Sequence, residues 1–213
     1  MPYTTYIFDL DGTLLDTLQD LANAVNYSMR TMKYPERTLD EVRRFIGDGM
    51  KMLIRRAVPA ETGEEDCEKA LALFREYYNA HLCDCTTVYG GMGELISTLK
   101  ADGKKLAVVS NKADDASNAV VHHFFGDSFD IVLGRREDFP PKPEPDSVLY
   151  VMKQLGSDTA ECIYIGDSDT DVDTAHNAGL PCIGVTWGNR ERRLLEEKGA
   201  EFIVDSPEEI PDI

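Results

Sequence analysis

The sequence predicts an α/β fold, a doubly wound parallel sheet with a small all-helical domain inserted near its start. Two observations predict it. Short, nearly continuous apolar runs rich in Ile and Val alternate with amphipathic or capped helical segments along most of the chain, the pattern of strands covered on both faces by crossover helices. The alternation lapses from about residue 16 to about residue 84, where only helical patterns occur. A lapse of about 70 residues is too long for a single crossover and reads as an inserted lobe.

In chain order, "TYIFDL" is the first strand, and "LQDLANAVNYSMRTM", "LDEVRRFIGDGMKMLIRRAV" and "EDCEKALALFREYYNAHL" carry the helical lobe. The chain returns at "TTVYGGMGELISTLKADGKK", whose "GELISTLKADG" is a helix. The strands "KKLAVVSN", "FDIVLG", "ECIYIGD", "PCIGVTWG" and "EFIVDS" then alternate with helices from "KADDASNAVVHHFF" to "NRERRLLEEKG". Several of these helices end on a glycine suited to a left-handed cap. The predicted domains are a sheet domain of residues 1–15 and 86–213 and a helical domain of residues 16–85; the tail "DSPEEIPDI" reads as frayed surface.

The chain has 213 residues, 42% hydrophobic and 29% charged, with a formal charge of −17. That charge excludes a nucleic-acid surface, which needs clustered Lys and Arg. No apolar run approaches the ~18 residues of a membrane span, and the N-terminus lacks the basic-then-apolar order of a signal peptide. Five cysteines, an odd number, suggest reduced thiols and a cytoplasmic location. "HLCDC" offers half a zinc site without a second pair to complete it, and His122 and His123 read as surface or core-edge residues. An acidic protein handling phosphates needs a metal and a few placed cations to reverse its field locally.

In open α/β sheets ligands bind beyond the carboxyl ends of the strands, and four such ends carry unusual polar residues. Asp9 and Asp11 leave the first strand on one side, and Gly12 permits the sharp exit. A carboxylate pair suits nucleophilic phosphoryl transfer, in which one attacks phosphorus and the other protonates the leaving oxygen. Ser110 and Asn111 end the second strand as donors for a phosphoryl oxygen or as a plain helix cap. Lys142 stands among Pro140, Pro141, Pro143 and Pro145, a charge in a stiffened loop. "GDSDTDVD" supplies Asp167, Asp169, Asp171 and Asp173. Four carboxylates this close repel unless a cation is near. An EF-hand fails in detail, since Val172 and Ala178 stand where its Gly and Glu belong. Asp167 is therefore expected as a Mg²⁺ ligand facing Asp9 and Asp11. Asp171 is expected to ligate through water or to orient the site, and Asp169 and Asp173 to be helix-start charges.

This order of motifs, "DLDGT", Ser110, Lys142 and "GDSDTD", closely resembles the haloacid dehalogenase superfamily over nearly the whole chain. "DLDGTLLDT" with the helical insert is similar to its phosphoglycolate phosphatase-like branch with a helical cap. The resemblance implies Asp9 as nucleophile, Asp11 as general acid and base, and Lys142 as a catalytic cation. It implies Mg²⁺ held by Asp9, the Asp11 backbone carbonyl and Asp167, with Asp171 beside them. Ser110, Asn111 and Lys142 are expected to hold the phosphoryl oxygens. Thr13 is expected beside them, and Asp48, Lys51 and Arg55, after the cap's Gly47–Gly49 turn, are expected to meet the substrate. Gly90-Gly91 departs from the branch's Pro-Gly and suggests a softer re-entry hinge. The expected partner is a small phosphate ester, with monomer or dimer open. A phosphomutase of the β-phosphoglucomutase type, a pyrophosphatase, a phospho-receiver domain and a calcium-binding module are the alternative readings.

Overall fold

The computed structural model describes residues 3–213. In chain order the elements are β1 (Thr5–Phe8), β2 (Leu15–Asp16), α1 (Leu18–Thr31), α2 (Leu39–Phe45), α3 (Gly49–Ala57), α4 (Glu64–Ala80), β3 (Thr87–Val88), α5 (Met92–Ala101) and β4 (Lys105–Ala113). They continue with α6 (Asp114–Phe125), β5 (Ile131–Arg135), α7 (Asp146–Leu155), β6 (Cys162–Gly166), α8 (Asp169–Asn177), β7 (Cys182–Val185), α9 (Arg192–Lys198) and β8 (Phe202–Val204). The chain divides into two compact units, one running to Asp16 and resuming at Val88, the other Thr17–Thr87.

The first unit is built on a six-stranded sheet of order β5-β4-β1-β6-β7-β8, with every pairing parallel. Strand β1 is buried along its whole length, as its apolar run requires. Its register sets which loops meet. Phe8 lies opposite Val108 on β4 and Ile165 on β6, so the residues just beyond, Asp9, Val109–Ser110 and Gly166–Asp167, emerge together at one sheet edge. The tail is not frayed: Pro207–Asp212 forms a 3₁₀ helix begun by a Ser206–Glu209 capping box, and Pro207 and Ile210 are buried against α5 and β8. Two apolar residues among acidic ones suffice to dock it.

The second unit is four helices around a core that includes Leu21, Val25, Met29, Phe74 and Tyr78. The stretch "LDEVRRFIGDGMKMLIRRAV" forms two helices, and the expected turn at Gly47 and Gly49 lies between them, with φ of +117° and +83°, a region that L side chains avoid. Asp20, buried in the first turn of α1, accepts from the backbone N–H groups of Cys85 and Thr86 and from the Thr86 hydroxyl at 2.7–3.0 Å. β2 and β3 form a separate two-stranded ribbon, too short to register as strands in sequence.

Candidate active site

Four loops converge at the carboxyl edge of the sheet. Asp9, one residue past β1, donates its backbone N–H to Ile165 on β6 at 2.9 Å, so the ladder itself fixes its direction. The turn after it needs Gly12, whose φ is +96°. A methyl there would stand 2.4 Å from Asp167 Oδ2. Asp167 lies just past β6, and Asp171 lies in the first turn of α8 behind a Ser168 capping box. Carboxylate oxygens of Asp9, Asp167 and Asp171 all lie within 4.8 Å of one another, and all three residues are buried.

Lys142 answers part of this charge. Its ammonium, itself buried, donates to Asp9 Oδ1 and Asp171 Oδ1, both at 2.7 Å, and to the Tyr164 hydroxyl at 3.0 Å. One cation against three carboxylates leaves a deficit. Burial, then the nearby Asp171, pushes the Asp9 carboxyl well above its ordinary range, with Lys142 pulling the other way. Burial, with Asp171 next, pushes Asp167 up to about 7, against the Asn189 N–H and Arg190. Burial also opposes the charge on Lys142, but Asp171 and Asp9 outweigh it and hold the ammonium well above its usual range. Buried like charges that strain against ionisation in this way fit a hard divalent cation, which takes oxygen ligands and removes the repulsion. The oxygens of Asp171 are both engaged: Oδ1 by Lys142 and Tyr164, Oδ2 by the Ser168 N–H and hydroxyl. Of the two roles expected for Asp171, orienting the site, here through Lys142, matches these bonds.

The family model for haloacid dehalogenase-like hydrolases matches residues 6–185. The chain belongs to this family. Phosphoglycolate phosphatase 1 of Pseudomonas aeruginosa is 33% identical over 207 residues, 94% of this chain and 75% of that protein. The phosphoglycolate phosphatase of Caulobacter vibrioides is 34% identical over 213 residues, 97% of this chain and 89% of that protein. A solved structure from Lactobacillus delbrueckii subsp. bulgaricus, described as that of a candidate phosphoglycolate phosphatase, superposes with a TM-score of 0.95 at 33% identity, covering 100% of this chain and 98% of that one.

The ends of β1, β4 and β6 meet here, and several of the predicted residues bond to one another. Asn111, expected at a phosphoryl oxygen, clasps the backbone of Lys142 from both ends. Its side-chain amide accepts from the Lys142 N–H at 2.9 Å and donates to the Lys142 carbonyl at 3.1 Å. Thr13 is buried and donates to Asp167 Oδ1 at 3.3 Å, bracing that carboxylate. Ser110 accepts the Lys112 N–H at 3.2 Å and keeps its own proton to donate. Within the helical unit, the residues expected to contact substrate have partners of their own. Asp48 pairs with Arg56 at 2.5 Å and Lys51 with Glu64 and Glu68. Arg55 donates to the Thr62 carbonyl at 2.7 Å and to Cys67 Sγ at 3.1 Å. Asp169 faces Arg190 at 3.6 Å and Asp173 pairs with Lys198. The five cysteines form no disulfide among the described residues, and no cysteine there joins a metal-binding cluster. Among these residues no helix is long and apolar enough to cross a membrane.

Two features carried no readable signal. Lys112 is buried and donates to Asp11 Oδ1 at 3.0 Å. The loop after β7 closes over the cluster: Trp187 Nε1 donates to the Thr13 carbonyl at 3.0 Å and the Asn189 N–H to Asp167 Oδ2 at 2.6 Å.

Proposed function

We propose that the chain is a Mg²⁺-dependent phosphate monoester hydrolase working through an aspartyl-phosphate on Asp9, with a small molecule of the phosphoglycolate kind as substrate. The observation that carries this reading is the packing of Asp9, Asp167 and Asp171 within 4.8 Å of one another beside Lys142. The names borne by the relatives support the substrate class.

The chain's own residues divide the work. An Asp9 carboxylate oxygen attacks phosphorus, the bond to the ester oxygen breaks with its electron pair on the leaving alkoxide, and Asp11 supplies the proton that makes it an alcohol. A water then attacks phosphorus and gives its proton to Asp11. The acyl-phosphate bond breaks and restores the Asp9 carboxylate with release of phosphate. Lys142 and Ser110 donate to phosphoryl oxygens, where charge develops. Asn111 holds the Lys142 backbone, and Asp171 with Tyr164 aims its ammonium. Asp9, Asp167 and the Asp11 carbonyl would hold the divalent ion, which would supply charge neutralisation for the dianionic ester.

The deciding experiment is Asp9→Asn. Phosphate release from phosphoglycolate and from p-nitrophenyl phosphate should fall to background while the melting temperature does not drop. Turnover that survives the substitution rules out the aspartyl-phosphate. A panel of phosphate esters, pyrophosphate and hexose phosphates with the unsubstituted protein separates hydrolysis from mutase chemistry, since only hydrolysis releases phosphate.

A further inference from the structure

Lys112 lies in none of the four motifs, yet the fold spends a distortion to bury it. Strands β4 and β5 pair at Val109↔Leu133 and again at Ala113↔Arg135, so β4 carries two more residues than its partner across Ser110–Lys112. Such a bulge breaks the alternation of a strand and re-aims a side chain. Here three successive polar residues, Ser110, Asn111 and Lys112, are all buried. The opposite strand accommodates the bulge with Gly134, where a methyl would stand 2.7 Å from the Lys112 carbonyl oxygen and 2.5 Å from Asp114 Cα. The result is an ammonium with 3% of its side chain exposed, 3.0 Å from Asp11 Oδ1.

Asp11 has little else to hold its carboxylate, although its backbone pairs with Leu15. It stands beyond the strand in the turn at Gly12, its side chain is 21% exposed, and among the described residues its carboxylate takes a single hydrogen bond, the one from Lys112. A general acid must lie within about 2.6–3.2 Å of the atom it protonates, and an error of about 1 Å in such a placement costs on the order of 100-fold.

We propose that Lys112 is a positioning residue, aimed by the β4 bulge to fix the Asp11 carboxylate for proton transfer to the leaving group and from water. The proposal rests on the phosphatase reading of the same site. It makes the third residue of "SNK" part of the machinery, although it touches the reaction only through Asp11.

The test is a kinetic double-mutant cycle on the full chain with Lys112→Met, Asp11→Asn and the pair, using phosphoglycolate and p-nitrophenyl phosphate. Lys112→Met should lower kcat on phosphoglycolate by on the order of 100-fold, with KM changed by about twofold or less because no uniform binding is lost. The nitrophenolate leaves without a proton. With that ester the variant should therefore release a burst of product stoichiometric with enzyme, then turn over slowly, limited by the second step. The double variant should be no worse than Asp11→Asn alone, since Lys112 acts through that carboxylate. Equal losses on both esters without a burst, or additive losses in the pair, overturn the proposal. An active Asp11→Asn overturns the phosphatase mechanism with it, whereas an inactive Asp11→Asn beside a fully active Lys112→Met overturns this proposal alone. Should Lys112→Met fail to fold, Lys112→Leu, which likewise carries no donor, enters the same cycle with the same criteria.

Discussion

Gly188 illustrates how closely the site is built at the scale of single residues. A methyl on it would stand 2.3 Å from Asp167 Cβ and 2.5 Å from the Gly12 carbonyl oxygen, and neither neighbour can swing away as a long side chain would. The next residue, Asn189, donates its backbone N–H to Asp167 Oδ2 at 2.6 Å. Gly188→Ala must therefore displace Asp167, the Gly12 turn or the loop itself. The expected effect is a 10- to 100-fold loss of Mg²⁺ or Mn²⁺ affinity, roughly the range for disturbing the support of a metal ligand. Titration of Mn²⁺ monitored by electron paramagnetic resonance reads it without any assay of activity. Affinity equal to that of the unsubstituted protein would show that the loop merely covers the site. Nothing in "TWGNR" announces this role, because the contacts are made by a backbone N–H and by the absence of a side chain. Asp9, Asp11, Lys142 and Asp167 are readable for the opposite reason: each is a charged side chain in apolar or proline-stiffened surroundings that offer no ordinary use for it.

Whole elements were legible in proportion to how much apolar surface they bury. The six strands of the main sheet stand out as runs of Ile, Val and Tyr because both their faces are covered. The ribbon β2–β3, two residues per strand, has no such run. The split between α2 and α3 falls at Gly47 and Gly49, where the sequence predicts a turn. The expected softness at Gly90-Gly91 meets a tethered segment: Tyr89 donates its N–H to the Leu14 carbonyl at 3.3 Å and Met92 to the Tyr89 carbonyl at 3.1 Å. Asp20 shows an element-scale dependence that sequence patterns miss altogether. From the first turn of α1 it satisfies the N–H groups of Cys85 and Thr86 and the Thr86 hydroxyl, pinning the chain that leaves α4 to the start of the helical unit. Asp20→Ala strands these donors, at about 1–3 kcal/mol for each that stays buried. Urea denaturation should show a loss of about 2–4 kcal/mol, and Asp20→Asn, which keeps one acceptor oxygen, should lose less. A loss below about 1 kcal/mol, near the range of ordinary surface substitutions, would mean that water replaces the carboxylate.

At the scale of the whole molecule the chain carries a formal charge of −17 and yet buries three of its carboxylates together. That arrangement has a pH signature. Asp167 titrates at about 7 in the folded chain, raised by burial and then by Asp171, against about 3.9 for an unperturbed aspartate. Between those values the folded state holds a proton that the unfolded state has lost. The stability tied to that proton is complete below about pH 4 and is lost as the pH rises through about 7. Asp9, raised in the same direction, adds to the trend. Metal-free protein should therefore melt at progressively lower temperature from mildly acidic to neutral pH. A divalent cation competes with the same proton, so the rise in melting temperature on adding saturating Mg²⁺ should be small near pH 5, grow toward pH 7 and level off above it. Asp167→Asn carries no titrating group at that position and should flatten both curves. A Mg²⁺-induced shift that is the same at pH 5 and pH 8 would mean that the cation does not displace a proton from this cluster, and would count against Asp9 and Asp167 as its ligands.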